Sequence, residues 1–421
     1  MRIGLLAPPW IPTPPPAYGG IERVVALQAA GMAAAGHDVT LIAAPGSAVP
    51  GVRVVSPLEE LPAQIGMATD EWRHVLGGLD ELAGVDMVFD HSGPLGALLS
   101  AQAKVPAMHV VHGSLETELL GLYDGLFARA PSLRLAAISR SQRGAAPHLP
   151  FAGVCYNALD LEEAPFRAES EGYLAFLGRM APEKGVGEAI TLARRAGLPL
   201  RIAAKCREPA EQAYFEQAVA PHLGPGVEYL GELGRAATYD FLSRASALLF
   251  PISWREPFGM VLIEAMACGT PVLATRRGAV PEVVLDGVTG FVRDTPAELA
   301  PLINRIGEID RADCRRHVAE HFSTDALVRG YSRLLAPVRE PGALAPAAPM
   351  VFSAPVPAPR PMRVPHEPPR LPHQPARLPH DPPRVPHDPA RLPHDPPRVS
   401  HDPPEVRRNG RARPVVRRAT G

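Results

Sequence analysis

Two successive runs of short apolar segments alternating with longer amphipathic ones, followed by a proline-rich extension, predict an α/β protein. The expectation is two Rossmann-like domains with parallel sheets and a disordered Pro-rich C-terminal tail. The first run opens with Ile3–Ala7 as a buried strand and Ile21–Ala35 as a helix closed by Gly36. Val39–Ala43, Met87–Phe89, Ala107–Val111 and Leu135–Ile138 follow as strands. The pattern restarts with Tyr173–Leu177 as a strand, Gly187–Arg195 as a helix and Leu200–Ala204 as a strand. Val227–Leu230, Ala247–Phe250 and Val272–Ala274 continue it, and a last helix is expected at Thr324–Leu335. Strands separated by helices form βαβ units, which make a parallel sheet covered on both faces. The expected divisions are 1–165, 166–322, a terminal helical piece at 323–340 and a tail at 341–421, with the linker near Leu161–Gly172.

The bulk numbers agree with this plan. A chain of 421 residues, 46% of them hydrophobic, exceeds one ordinary core and suits two. Its 43 basic and 44 acidic residues nearly cancel, yet they are unevenly placed. The tail has 13 arginines and 6 acidic residues, so it carries +7 and the first 340 residues carry −8. An acidic body argues against a nucleic-acid-binding core. Four scattered cysteines, Cys155, Cys206, Cys268 and Cys314, form no C-x-x-C pair, so a reducing, cytoplasmic setting is expected. The apolar start is too short for a signal-peptide core and reads as the first strand. No apolar run approaches the roughly 18 residues that a membrane span requires.

The tail holds 23 of the 51 prolines and repeats every seven residues from Arg363 to Pro403, with histidines at 366, 373, 380, 387, 394 and 401. Such a composition buries little apolar surface and favours disorder or polyproline II, in which one repeat advances roughly 22 Å. It is expected to act as a spacer or an interaction arm, toward an anionic membrane surface or a protein, or to have no partner at all.

Three segments carry chemistry. In the first, Glu256-Pro257-Phe258-Gly259-Met260 leads to Glu264 and on to Gly269-Thr270-Pro271. Pro257 suits the first turn of a helix and Gly269 its C′ position, which predicts a helix over Phe258–Cys268. Its amino end offers free amides and a positive dipole to a phosphate. Glu256 and Glu264 then lie about 80° apart and two turns apart in height, so they meet different parts of one elongated ligand. In the second, Gly178-Arg179 and Lys184-Gly185 follow a strand and precede a helix, placing two cations at the ligand edge of a parallel sheet. Arg179 is able to bind a diphosphate bidentately. In the third, Gly19-Gly20 between the first strand and helix permits close backbone approach to a ligand. No G-x-G-x-x-G follows the first strand, which disfavours a nicotinamide enzyme.

With its E-P-F-G-x-x-x-x-E-A-x-A-x-G-T-P-V segment, the chain resembles the family 4 glycosyltransferases, whose GT-B fold has two facing Rossmann-like domains. The resemblance covers about Met1–Val338. It implies that the first domain is the acceptor side, the second binds a nucleotide-diphosphate sugar, and the last helix packs back toward the first domain. It implies that Glu264 bonds the ribose, Glu256 the donor sugar, and the Phe258-Gly259-Met260 amides the sugar or phosphates. Arg179 and Lys184 would bind the diphosphate, with Gly19 and Gly20 beside it. His112, in a His-Gly pair ending a strand, matches a position that reaches the donor sugar; His91 is a second candidate. Ser139 matches a serine near the cleft. The chain departs from the family at Ala158, in place of the hinge glycine after Asn157, and at Ala204-Lys205, where relatives carry glycine.

The implied activity is sugar transfer with retention, of hexosyltransferase type, with front-face departure and attack and no cofactor. No Asp-x-Asp metal motif occurs in the body, so Arg179, Lys184 and a helix end take the electrostatic role of a cation. The acceptor is left open. The alternatives are a nucleotide-sugar epimerase or phosphorylase of the same fold, or a non-catalytic binding protein acting through its tail.

Overall fold

A computed structural model of the chain describes residues 1–16, 19–102, 105–116, 118–130 and 132–335. The expectations for 341–421 lie outside the described residues. Thirteen strands form two parallel sheets among the described residues. The first has seven: β1 (Arg2–Leu6), β2 (Asp38–Ile42), β3 (Arg53–Val55), β4 (Met87–Asp90), β5 (Ala107–Val111), β6 (Leu135–Ala137) and β7 (Phe151–Val154). The second has six: β8 (Leu174–Arg179), β9 (Leu200–Lys205), β10 (Val227–Gly231), β11 (Ala247–Phe250), β12 (Val272–Thr275) and β13 (Gly290–Arg293).

The strand orders are 3-2-1-4-5-6-7 and 10-9-8-11-12-13. Each order reverses once, between β1 and β4 and between β8 and β11. In open α/β sheets the crevice beyond the carboxyl ends of strands at that reversal receives ligands. The segments singled out in the sequence follow β1, β5, β8 and β11, so the topology gathers them at the two crevices.

Most central strands are apolar on both faces, as burial beneath helices requires. Ile3, Leu5, Leu6, Met87, Val88 and Phe89 are fully buried in the first sheet, as are Leu174, Ala175, Leu248 and Leu249 in the second. Burying one such Leu or Phe contributes about 1.5–3 kcal/mol. The Thr324–Leu335 helix lies on the Gly20–Ala34 helix, where Val328 occupies the space a Cβ on Gly31 would need. Its Tyr331 meets Phe89 edge-on at 4.9 Å. The C-terminal helix therefore rests on elements of the first sheet.

One expected helix differs at its start. The segment after Glu256 becomes helical at Met260–Ala267, two residues later than expected, and Pro257 lies outside it. Gly259 sits at the N-cap with φ +90°, a left-handed turn that postpones the helix. That turn sends the Phe258 ring inward, between Tyr156 at 6.2 Å and Phe322 at 5.7 Å. Gly269 does stand just past the helix, with φ +84°.

Candidate functional site

The Gly20–Ala34 helix follows a loop that doubles back on itself. Gly19 is its N-cap at φ +148°, and a Cβ there would lie 2.7 Å from Ile11 and Pro15. Only glycine fits that corner. Gly20, the first helical residue, then stands opposite Met260, close enough that a Cβ would touch its side chain at 3.8 Å. The backbone of the first domain thus faces the Met260 side chain of the second with no side chain of its own between them.

Beyond this contact the cleft opens into a cavity of about 390 Å³. From the first domain, Gly20, His112 and Asn157 line it. From the second come Arg179, Lys184, Glu256, Phe258, Gly259 and Met260. A smaller chamber of about 150 Å³ adjoins it, sharing Gly20, Gly178 and Met260. Gly19, Arg23, Ala204, Lys205, Thr238 and Glu264 line that one. Ten of the residues singled out in the sequence, Gly19, Gly20, His112, Arg179, Lys184, Glu256, Phe258, Gly259, Met260 and Glu264, therefore line one or both of these adjoining chambers.

The charges inside are paired. Lys184 Nζ donates to Glu256 Oε2 at 2.8 Å and lies 4.3 Å above the Trp254 ring. Glu256 is held from behind: its backbone carbonyl accepts from the Ala279 amide at 2.9 Å, and Gly278 packs so closely that any Cβ would strike the Glu256 backbone. Arg179 donates to Glu183 at 2.5 Å, while Glu211 stands 3.9 Å away. In the smaller chamber Arg23 donates to Glu264 at 3.2 Å, an ion pair that crosses from one domain to the other. Burial pushes the Glu264 carboxyl above its ordinary range, offset by Arg23 and Arg235.

His112 Nε2 lies 2.8 Å from His91 Nδ1. Burial lowers both imidazoles, His112 to about 3 and His91 well below its usual value, with other histidines adding to the effect, so both are neutral at pH 7. Behind them His109 is saturated, by Asp90 at 2.8 Å on Nδ1 and by the Tyr123 hydroxyl at 2.7 Å on Nε2.

Ser139 is not part of the cleft lining. It is fully buried, and its hydroxyl accepts from the Gln142 amide, capping the Arg140–Ala145 helix. Several residues that shape the site were not singled out in the sequence. Arg23 is one, although it lies only three residues after the Gly-Gly pair; Trp254, two residues before Glu256, is another. Glu282 is a third: it accepts from the Arg140 and Ser141 amides at 2.8 and 2.5 Å and from the Tyr156 hydroxyl at 2.8 Å. That carboxylate ties the second domain to a helix end of the first. Its signal was weak, because a solvated glutamate after a proline looks the same in sequence. Among the described residues no helix is long and apolar enough to cross a membrane.

Two parallel-sheet Rossmann-like domains with ligand-sized space at their paired crevices define a GT-B protein. Residues 160–320 match the family model of glycosyl transferases group 1, and residues 18–148 match that of glycosyltransferase family 4. The chain belongs to the family 4 glycosyltransferases. It is 27% identical over 344 residues to a glycogen synthase of Mycobacterium tuberculosis, covering 69% of this chain and 82% of that protein. Among solved structures it is similar to AviGT4, a glycosyltransferase involved in avilamycin A biosynthesis, with 25% identity and a TM-score of 0.58. That match covers 80% of this chain and 97% of the other. It also shares the fold of Anabaena Alr3699/HepE, solved in complex with UDP-glucose, at 19% identity and a TM-score of 0.60, covering 80% and 99%. The protein is a glycosyltransferase.

Proposed function

We propose that the protein transfers a hexose, with retention of configuration, from a nucleotide-diphosphate sugar to an acceptor bound on the first-domain side of the cleft. The observation that carries this reading is the pair of connected chambers, with two cations beside one and a buried carboxylate in the other. A nucleotide sugar has the same two-part character, and the related fold of HepE was solved with UDP-glucose. In this reading Glu264 accepts from the ribose hydroxyls in the smaller chamber. The diphosphate lies at the junction formed by Gly19, Gly20 and the first amides of the Met260–Ala267 helix. The sugar occupies the larger chamber, where Glu256 and His112 meet its hydroxyls.

The reaction breaks the bond between the anomeric carbon and the diphosphate oxygen, so negative charge grows on the departing phosphate. Arg179, Lys184 and the helix amides are the donors for that charge; once the bound donor has set them, they lower the barrier because they need no further reorganisation in the transition state. Donor binding must draw Lys184 away from Glu256, which frees the carboxylate for the sugar and the ammonium for the phosphate in one exchange. With Glu256 assigned to the sugar hydroxyls rather than to attack on the anomeric carbon, front-face attack by the acceptor on the same side as the departing diphosphate accounts for retention. The reading extends to the tail, which we take to be a tether outside the catalytic fold.

The test is release of nucleotide diphosphate with and without candidate acceptors. Release only when an acceptor is present is expected. Interconversion of the donor sugar without an acceptor would make the protein an epimerase instead.

A further inference from the structure

His112 has one ring nitrogen engaged and one left over. Nε2 is taken by His91, while Nδ1 makes no hydrogen bond within the described residues, and the residue lines the larger chamber. We propose that His91 is a positioning residue that holds His112 in the tautomer with its proton on Nδ1, so that a hydrogen-bond donor faces the sugar chamber. This rests on the reading that His112 contacts the donor sugar.

Two neutral imidazoles share one hydrogen bond, so one donates and the other accepts. If His112 donated from Nε2, His91 would have to carry its own proton on its Nε2. That atom is buried and has no hydrogen-bond partner, and His91 is only 2% exposed. A buried N–H without an acceptor is costly and rare, and a buried lone pair is the lesser loss. The favoured arrangement therefore puts the His91 proton on Nδ1, donating to His112 Nε2. His112 must then hold its proton on Nδ1.

The surroundings keep His91 in that role. The Tyr331 ring stands edge-on to it, with centroids 6.3 Å apart, and offers no acceptor atom in hydrogen-bond contact. His109 has both nitrogens engaged, and Asp90 is spent on His109, the Ser92 amide and the Ser92 hydroxyl. Neither is available to turn His91 round. The tautomer of a residue at the cleft is thus set by one behind it, as a partner on one imidazole nitrogen usually sets the other.

The experiment uses the full chain and four variants, His91→Asn, His91→Asp, His91→Phe and His112→Ala, with whichever nucleotide sugar the wild-type protein binds from a panel titrated calorimetrically. Asn keeps an N–H near the Nδ1 position; ionised Asp offers only acceptors and draws the proton to His112 Nε2. His91→Asp and His91→Phe are expected to lower kcat/KM roughly tenfold or more, while His91→Asn stays within about threefold of wild type. Affinity for the free nucleotide diphosphate should be unchanged in all four. His91→Phe should cost nothing further in the His112→Ala background, and the ¹⁵N shifts of histidine-labelled protein should show a protonated Nδ1 on His112. A protonated Nε2, additive losses in the double variant, or equal damage from Asn and Asp would overturn the proposal. Full activity in His112→Ala would instead remove the donor-sugar reading on which the proposal rests.

Discussion

Lys184 and Glu256, 72 positions apart in sequence, form one ion pair 2.8 Å long on the wall of the cleft. Each has been given a partner on the donor, the ammonium a phosphate and the carboxylate a sugar hydroxyl. They hold each other until the donor arrives, so an empty cleft need not bury an isolated charge. That is the costly alternative for side chains as sheltered as these, with 16% and 11% of their surface exposed.

Lys184→Ala and Arg179→Ala are each expected to lower turnover by roughly 10²–10³, the usual cost of losing one charge-stabilising donor. Single-turnover kinetics on folded protein measures this. Near-normal turnover in both would remove the leaving-group role.

The two glutamates should separate binding from transfer. Glu264→Gln is expected chiefly to weaken the nucleotide diphosphate, because its proposed partner is the ribose. Glu256→Gln should spare that affinity and impair transfer. Equal affinity losses in a calorimetric titration would contradict the division.

These roles were partly legible in sequence. Strands β1, β4, β5, β8 and β11 are short apolar runs bounded by polar turns, and the periodicity finds them. The three strands that it missed, β3, β7 and β13, are all sheet edges of three or four residues. An edge strand pairs on one side only, so it needs neither length nor apolar residues on both faces. The glutamate motif was readable because Glu256 and Glu264 sit on one local segment. The partners of those glutamates were not. Arg23 reaches Glu264 across 241 positions, and no local pattern encodes a contact that only the closed arrangement of two domains creates. The start of the Met260–Ala267 helix was misjudged for a related reason. Pro257 favours a helical first turn, but the left-handed Gly259 and the buried niche for Phe258 prevail.

Glu22, in the first turn of the Gly20–Ala34 helix, supplies a pH dependence. Burial pushes its carboxyl from 4.5 up to about 7, against the opposing pull of its backbone hydrogen bond. The folded state therefore holds the proton more tightly than the unfolded state. Its contribution to stability is complete below pH 4.5 and is lost as pH rises through about 7. The unfolding free energies from urea titrations at pH 5 and pH 8 should converge in Glu22→Gln, by up to about 3 kcal/mol relative to wild type. An unchanged difference between the two pH values would rule out Glu22 as the cause.

Truncation after Arg339 should leave turnover on a soluble acceptor unchanged and reduce binding to anionic vesicles. The motive is the +7 charge of 341–421, with six repeat histidines that gain charge as pH falls. Equal vesicle binding by truncated and full-length protein at low salt would end the tether idea.

The central claim is that the paired chambers are a nucleotide-sugar site, and a calorimetric titration across a panel of nucleotide sugars tests it most directly. Wild type should bind at least one member saturably with one-to-one stoichiometry, and the Lys184→Ala, Glu264→Gln double variant should lose that binding while remaining folded. Binding of equal strength in the double variant, or none by wild type to any member, would contradict the account.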